Sequence, residues 1–402
     1  MSLTGNKDVD LKIMDYLNDE DLLNVSLINK RSAHLCNDEN FWRNRYFRNY
    51  GFVHSRGAEE MIIGEKISFK NPDRSWKEYY LLVMHYDSKY YPRMALKLVA
   101  EKGYLDLVKF FLEYLKDECG DLEDLEFSDI IFDAAKNNHK DVLQYIYEKY
   151  WHGDLEFGLF GTAFGGHRDL LEYFIRKLQE QDNINVNDLD TALMKAAEGN
   201  HKEIIQRLIA LGANDWLLGL QGAAKGGHKN LVDYFISLGT DGIYNAALSA
   251  AEGGHKDLVE YLKTKGSACL DTPMSVFFIY AAQGGNIDLV KSSISKKFTY
   301  ATLIKAVECA AYHGHKQVLE FLFEYFATVP LEQALEYSAM GGHKNLVEWL
   351  VELGVKKFEY AAELAKNVGY KELEQYFTQE AIRTHQKKVL KNNLTMDNYI
   401  KH

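Results

Sequence analysis

One block recurs along most of this chain. AAEGGHKDLVEYL, beginning at Ala250, returns as AAKGGHKNLVDYF from Ala223, AAEGNHKEIIQRL from Ala196 and SAMGGHKNLVEWL from Ser338. With the histidine as anchor the series has ten members: Tyr104, His139, His167, His201, His228, His255, Asn286, His315, His343 and Tyr370. They stand 27 to 35 residues apart. A copy this short cannot enclose a core of its own. Each must bury its apolar face against the next, so the chain grows as a stacked array. Arrays of this kind usually bind other macromolecules and rarely do chemistry.

The block spells out a helix pair. Ala247, Ala250 and Ala251 share one face at helical spacing, and their small side chains let helices approach closely. Gly253 and Gly254 end that helix. A second helix is expected from near His255, with Asp257 in its first turn, where the helix dipole favours a carboxylate. Leu258, Val259, Tyr261 and Leu262 form its expected buried stripe. Lys263 and Lys265 suit its last turn, and Gly266 ends it. Only four prolines occur in 402 residues, which again favours helices nearly throughout. The expected fold class is all-α.

The segment TALMKAAEGNHKEIIQRLIALGAN, Thr191 to Asn214, resembles the ankyrin repeat. It carries that family's opening Thr, Ala-Ala pair, Gly-His turn, apolar second helix and closing Gly-Ala, but has Ala192 and Met194 where the family has Pro and His. The resemblance implies an ankyrin-like α-solenoid of about ten helix-pair repeats over residues 92–378. Most copies lack the opening turn, and many are shorter than the family's unit, so they have little projecting hairpin to offer a partner. In ankyrin arrays, residues just before the Gly-His turn and just before the first helix line the binding groove. The matching large residues are Phe164, Tyr312, His313 and Met340 before turns, with Trp216 and Tyr244 before helices. These are the expected target-binding candidates; the alternative is that they fill gaps left by shortened loops.

The repeated histidines invite a metal reading. Residues at one place in stacked repeats lie roughly 10 Å apart, the spacing of packed helices, whereas zinc holds its ligands at about 2 Å. Hydrogen bonds to the turn backbone are the preferred reading. Cys309, His313 and His315 form one local cluster, also read as structural. No metal or other cofactor is expected.

Residues 8–50 depart from the repeat. Val9, Ile13 and Leu17 form an apolar helical stripe, and Asn18 and Asp19 break it, with Asp19 able to cap the next helix. Leu22, Leu23, Ser26, Leu27 and Lys30 would lie on that second helix. Asn37 and Asp38 begin a third, carrying Phe41, Trp42 and Tyr46. Arg43, Arg45 and Arg48 read as its solvated face. The order Tyr16-Leu17, Asn18 to Asp21, Leu22-Leu23, Val25-Ser26-Leu27, Asn29-Lys30 and Phe41-Trp42 resembles an F-box, with Gly5-Asn6 where the family has Leu-Pro. The resemblance implies docking on a Skp-type adaptor, and through it on a cullin–RING ubiquitin ligase. The implied docking residues are Ile13, Leu17, Leu22, Leu23, Val25, Leu27 and Trp42. The alternative is that Leu22, Leu23 and Trp42 are core of a small capping domain.

The expected organisation is an F-box-like domain at 1–50, a helical linker and N-terminal cap at 51–91, the array at 92–378 and a basic capping helix or tail at 379–402. F-box, Trp-Lys-Glu-Tyr-Tyr linker and short glycine-rich repeats together look like a protein class of large DNA viruses of protists. A formal charge of −11 argues against a general nucleic-acid binder, which needs a basic face to release counterions. Four scattered cysteines without a CxxC pair suggest a reduced, intracellular chain, expected in the cytoplasm (the host's, for a viral chain) or the nucleus. No apolar run approaches the length that crosses a bilayer, and no membrane role is expected. No phosphate loop, HExxH or nucleophile elbow is present, so no enzyme activity is expected. The function expected from these resemblances is substrate recognition for an SCF-type ligase. The alternative is a scaffold or virion component that binds proteins without ubiquitin.

Overall fold

The computed structural model describes residues 6–18, 21–22, 30–50, 70–119, 122, 127–150, 155–181, 184–266, 274–294 and 298–399. Among them are 24 helices and no strand, the all-α fold that the repeat predicts. The chain divides into two compact modules, Met1–Val99 with Tyr104–Asp124, and Ala100–Gly103 with Leu125–His402.

The first module opens with α1 (Lys7–Asp15), α2 (Lys30–Leu35), α3 (Glu39–Asn49) and α4 (Trp76–Lys89). Asn6 caps α1 by accepting from the Asp8 N–H, and Asp38 caps α3 through the Phe41 N–H at 2.9 Å. The cap of the turn between them is Asn18, whose Oδ1 accepts from the Asp21 N–H at 2.7 Å; Asp19 lies outside the described residues. The buried face of α1 also differs from expectation. It is Asp10 and Met14, while Val9 is 43% exposed. The neighbours of α1 lie on the Met14 side, so the Val9–Ile13 stripe turns outward.

An aromatic core holds this module. Trp42, Tyr46, Tyr79, Tyr80 and Phe110 are all essentially buried. Rings stack off-parallel or edge-on, as aromatic quadrupoles prefer, with Tyr46–Tyr79 centroids at 5.0 Å. Trp42 donates its indole N–H to Cys36 O at 2.7 Å. Burial pushes the Tyr46 hydroxyl up to about 12. Arg45 corrects the expectation of a solvated basic face. It is 3% exposed, and its guanidinium donates to Leu17 O at 2.7 Å and Asp15 O at 3.3 Å. Those carbonyls end α1, so this arginine caps a helix from across the core. The helices Pro92–Glu101 and Leu105–Cys119 of the first repeat fall almost wholly in this module.

Nine further helix pairs follow, from Ser128–Lys136 with Lys140–Lys149 to Glu359–Val368 with Lys371–Tyr399. In the repeat anchored at His255 the helices are Ile243–Glu252 and Lys256–Lys265. Ala246, Ala247, Ala250 and Ala251 are fully buried, as are Val259 and Leu262. Val259 and Leu262 each contribute about 2 kcal/mol by leaving water, and each alanine methyl about 0.8 kcal/mol. Tyr261 is not part of that stripe. It is half-buried, bonds Asp233 of the preceding repeat and lies under Lys229 Nζ, 4.0 Å from the ring centroid. Successive first helices pack on one another along the module.

The Gly-Gly-His sequence is a joint between repeats. His255 N–H returns to Ala250 O at 2.8 Å, closing the first helix in a Schellman-type turn. The imidazole reaches the other way: its Nε2 is 3.0 Å from Lys225 O, in the repeat before. The same bond joins His139 to Glu101, His167 to Lys136, His201 to Phe164, His228 to Glu198, His315 to Gln283 and His343 to Tyr312, all at 2.8–3.0 Å. Each acceptor is a carbonyl at the end of a helix, where no backbone partner remains. The ring therefore satisfies an orphan acceptor that its own helix cannot, and Nε2 must carry the proton. Glycine is favoured here for two reasons. A side chain on Gly226 would overlap Glu198 O, and Gly227, at φ +79°, would press its Cβ to 2.6 Å from the His255 ring.

Candidate docking stripe and target-binding face

On α1 and its C-cap the outward residues are Val9 at 43% and the cap residue Tyr16 at 92% exposed, with Ile13 between them and Leu17 just beyond, both half-buried. Spacings of four and three place Val9, Ile13 and Tyr16 on one helical face. The F-box docking set divides on this geometry. Ile13 and Leu17 lie at the surface. Leu22 and Trp42 are 0% and 1% exposed and belong to the core, the alternative the sequence left open. Leu23, Val25 and Leu27 lie outside the described residues. Val9 and Tyr16, which the sequence places in the apolar stripe and in the F-box-like order, stand outside the implied docking set. Their signal was present, because i, i+4, i+7 apolar spacing can mark an outer stripe as readily as an inner one.

The target-binding candidates also divide. Phe164, Tyr312 and Met340 each stand three residues before an anchor, at the C-terminal ends of their first helices. Trp216 and Tyr244 stand at the opposite ends. At 1.5 Å per residue, eight or nine positions separate the two groups by about 12 Å, so they do not form one patch. Phe164 is half-buried. Its ring lies 6.3 Å from that of Phe132, with Lys136 Nζ at 4.8 Å. Tyr244 meets Phe277 edge-on at 6.1 Å. Tyr312 is 45% exposed, and Trp216 and Met340 are half-buried. His313 is exposed, with Nδ1 2.9 Å from Cys309 O.

A second row on this face lies one turn earlier, seven residues before the anchor. Phe132, Phe160, Met194, Leu248 and Ile279 occupy it, all half-buried. Close backbone approach brings these positions together: a Cβ on Gly161 would overlap Phe132 O, and one on Gly222 would overlap Met194 O. Between the apolar groups runs a charged ladder. Lys195 Nζ lies 3.1 Å from Glu198, and Lys225 Nζ lies 2.8 Å from Glu252 and 3.9 Å from Glu198. Burial works against the charge of Lys225, but Glu252 and Glu198 outweigh it and hold its ammonium above the ordinary lysine range.

Among the described residues no group of three or more His, Cys, Asp or Glu is placed to hold a metal. His315, of the cluster with Cys309 and His313, spends its Nε2 on Gln283 O. Burial holds His201 and His315 below the usual histidine range, so both are neutral near pH 7.

A family model described as F-box-like matches residues 7–48, and one described as ankyrin repeat matches residues 188–217. The latter covers the copy with the fullest grammar. The chain is also similar to the ankyrin repeat and KH domain-containing protein mask-1 of Caenorhabditis elegans. They are 34% identical over 122 residues, which is 30% of this chain and 4% of that protein. The F-box-like segment, the helix pairs and the matched repeat together make this an F-box-like segment joined to an ankyrin-type array, two modules of protein–protein interaction.

Proposed function

We propose that this chain is the substrate-recognition subunit of an SCF-type cullin–RING ubiquitin ligase. The F-box-like segment docks on a Skp-type adaptor, and the array holds a target protein. The chain contributes position rather than chemistry: holding the target beside a recruited conjugating enzyme raises the local concentration of its lysines. The observation that carries this reading is the outward apolar stripe Val9, Ile13 and Tyr16 within the F-box-like match. A tyrosine 92% exposed at the C-cap of a short helix contributes little to folding, and apolar side chains grouped on an open face mark an interaction site.

Pull-down with a purified Skp-type adaptor tests it. Tyr16→Asp with Val9→Asp should abolish adaptor recovery and leave the melting temperature within a degree or two, because both sites are open to water. Leu22→Asp should instead unfold the N-terminal module, since it puts a carboxylate into a fully buried site. Undiminished recovery with the Tyr16/Val9 variant would refute docking through this stripe.

A further inference from the structure

The face built from first helices changes character along the chain. Seven residues before the anchor, the repeats from His139 to Asn286 hold Phe132, Phe160, Met194, Gln221, Leu248 and Ile279. In the last three repeats the same place holds Glu308, Glu336 and Glu363. In the apolar part the neighbouring charges cancel internally, through the Lys195–Glu198 and Lys225–Glu252 pairs. In the acidic part the pairs are longer and more open to water, Lys357 lying 3.5 Å from Glu332 with its side chain 81% exposed. Glu308 has Lys305 at 3.7 Å, a lysine whose side chain is 68% exposed. Glu336 makes no ion pair among the described residues. Burial, then Glu332 one turn earlier on its own helix and Glu308 of the repeat before, push its carboxyl above the ordinary carboxylate range, against the smaller opposing pull of Lys357. One turn beyond these acids stand Tyr312 and Met340, apolar surfaces suited to the stems of long basic side chains.

We propose that the target segment is amphipathic in order, an apolar run seated on the Phe132–Ile279 face followed by a Lys/Arg-rich run against Glu308, Glu336 and Glu363. This rests on the reading of the array as the target-binding module and names the chemistry of what it binds. Glu308 and Glu336 are half-buried and repel one another, so they gain most from an incoming cation, and the exposed Glu363 extends their charge by one repeat; the closely paired charges of the apolar part gain least. The step in charge thus fixes the direction in which the segment lies. Five helix-to-helix steps of roughly 10 Å need about 15 extended residues, and the acidic repeats need about eight more.

The probes are two synthetic peptides of about 24 residues, one with a Leu/Phe/Ser run before a Lys/Ser run and one with the runs exchanged, read by fluorescence anisotropy against the full chain. The peptide with its apolar run first should bind the tighter, and equal binding of the exchanged peptide would overturn the order; the tighter peptide should weaken about tenfold when its lysines become glutamates or when the chain carries Glu308→Gln, Glu336→Gln and Glu363→Gln. Added salt should weaken it further. If the glutamate peptide binds equally and Met194→Asp abolishes both, the face binds targets but its charge step selects nothing, and the proposal falls alone. If no peptide binds, or binding ignores Met194→Asp, the proposal falls together with the target-binding reading. If reversing Lys387, Lys388 and Lys391 in the chain itself strengthens peptide binding, the occupant is the chain's own tail, which also overturns it.

Discussion

Glycine at the repeat turns serves two different needs, and two residues of one repeat separate them. Gly227 and Gly239 both sit at positive φ, +79° and +87°. Around Gly239 a Cβ would meet nothing within 4 Å, whereas at Gly227 it would press on the His255 ring at 2.6 Å. Gly239→Ala should therefore cost only the left-handed backbone strain, about 1 kcal/mol. Gly227→Ala should cost that plus displacement of an imbedded ring and its bond to Lys225 O, about 2–4 kcal/mol in all. Denaturant melts of the two variants measure the difference. Equal costs would mean that the turn matters only to its own repeat. Asn138 and Asn200 take positive φ at the same place, and asparagine is among the side chains that tolerate it; the rings that follow them, His167 and His228, keep their bonds at 2.8 and 2.9 Å, so in those repeats the ring has settled around a Cβ, and the Gly227→Ala cost measures whether His255 can do the same.

At the scale of helices, the histidine is the strut between neighbours, and its protonation couples the stack to pH. Burial depresses His201 and His315 below the free-histidine value of 6.5. A base depressed on folding binds protons more readily in the unfolded chain. Stability is then complete above about pH 6.5 and falls as pH drops from there toward the folded values. The array should melt at lower temperature at pH 5.5 than at pH 7.5. His201→Asn, which copies what Asn286 does naturally by donating to Gly254 O at 3.0 Å, should reduce that acid sensitivity. A variant with unchanged sensitivity would place the titration elsewhere. Helix positions and turns were legible in the sequence because each rests on local chemistry: alanine faces, glycine stops, first-turn acids. The direction of side chains was less so. The Val9 stripe was legible as apolar but not as outward, because which face of α1 meets a neighbour depends on helices distant in sequence. Arg45 looked like surface for the same reason; only the fold brings Asp15 O and Leu17 O to it. The Phe132–Ile279 column was hidden because half-buried first-helix positions repeat as regularly as core ones, and only packing tells the two apart.

Along the second module, cohesion is distributed over joints between neighbours rather than gathered in one core, and the joints are not equal. Most anchors donate an imidazole Nε2–H to the carbonyl three residues before the previous anchor. At Asn286 the shorter side chain reaches only Gly254 O, and Glu252 O, the equivalent acceptor, receives no imidazole. On the far side of that joint the pattern resumes, with His315 on Gln283 O and His343 on Tyr312 O. A chain whose stability sums over neighbouring contacts should open first where the imidazole is missing, at Tyr370, whose hydroxyl lies 3.5 Å from Gly341 O, and at Asn286. Truncation after Gly266 removes the asparagine joint and all beyond it. It exposes the flank of the His255 repeat but leaves every imidazole bond from His139 to His255 intact. The shortened chain should stay soluble and helical, with ellipticity reduced in proportion to the residues lost and a melting temperature lower by several degrees. Native-state hydrogen exchange on the full chain should show the amides around His315 and His343 opening at a free energy distinct from those around His201 and His228. A truncated chain that loses all helix content, or a full chain whose repeats all exchange at one free energy, would mean that the stack folds as a single cooperative block and that the asparagine joint is no weaker than the rest.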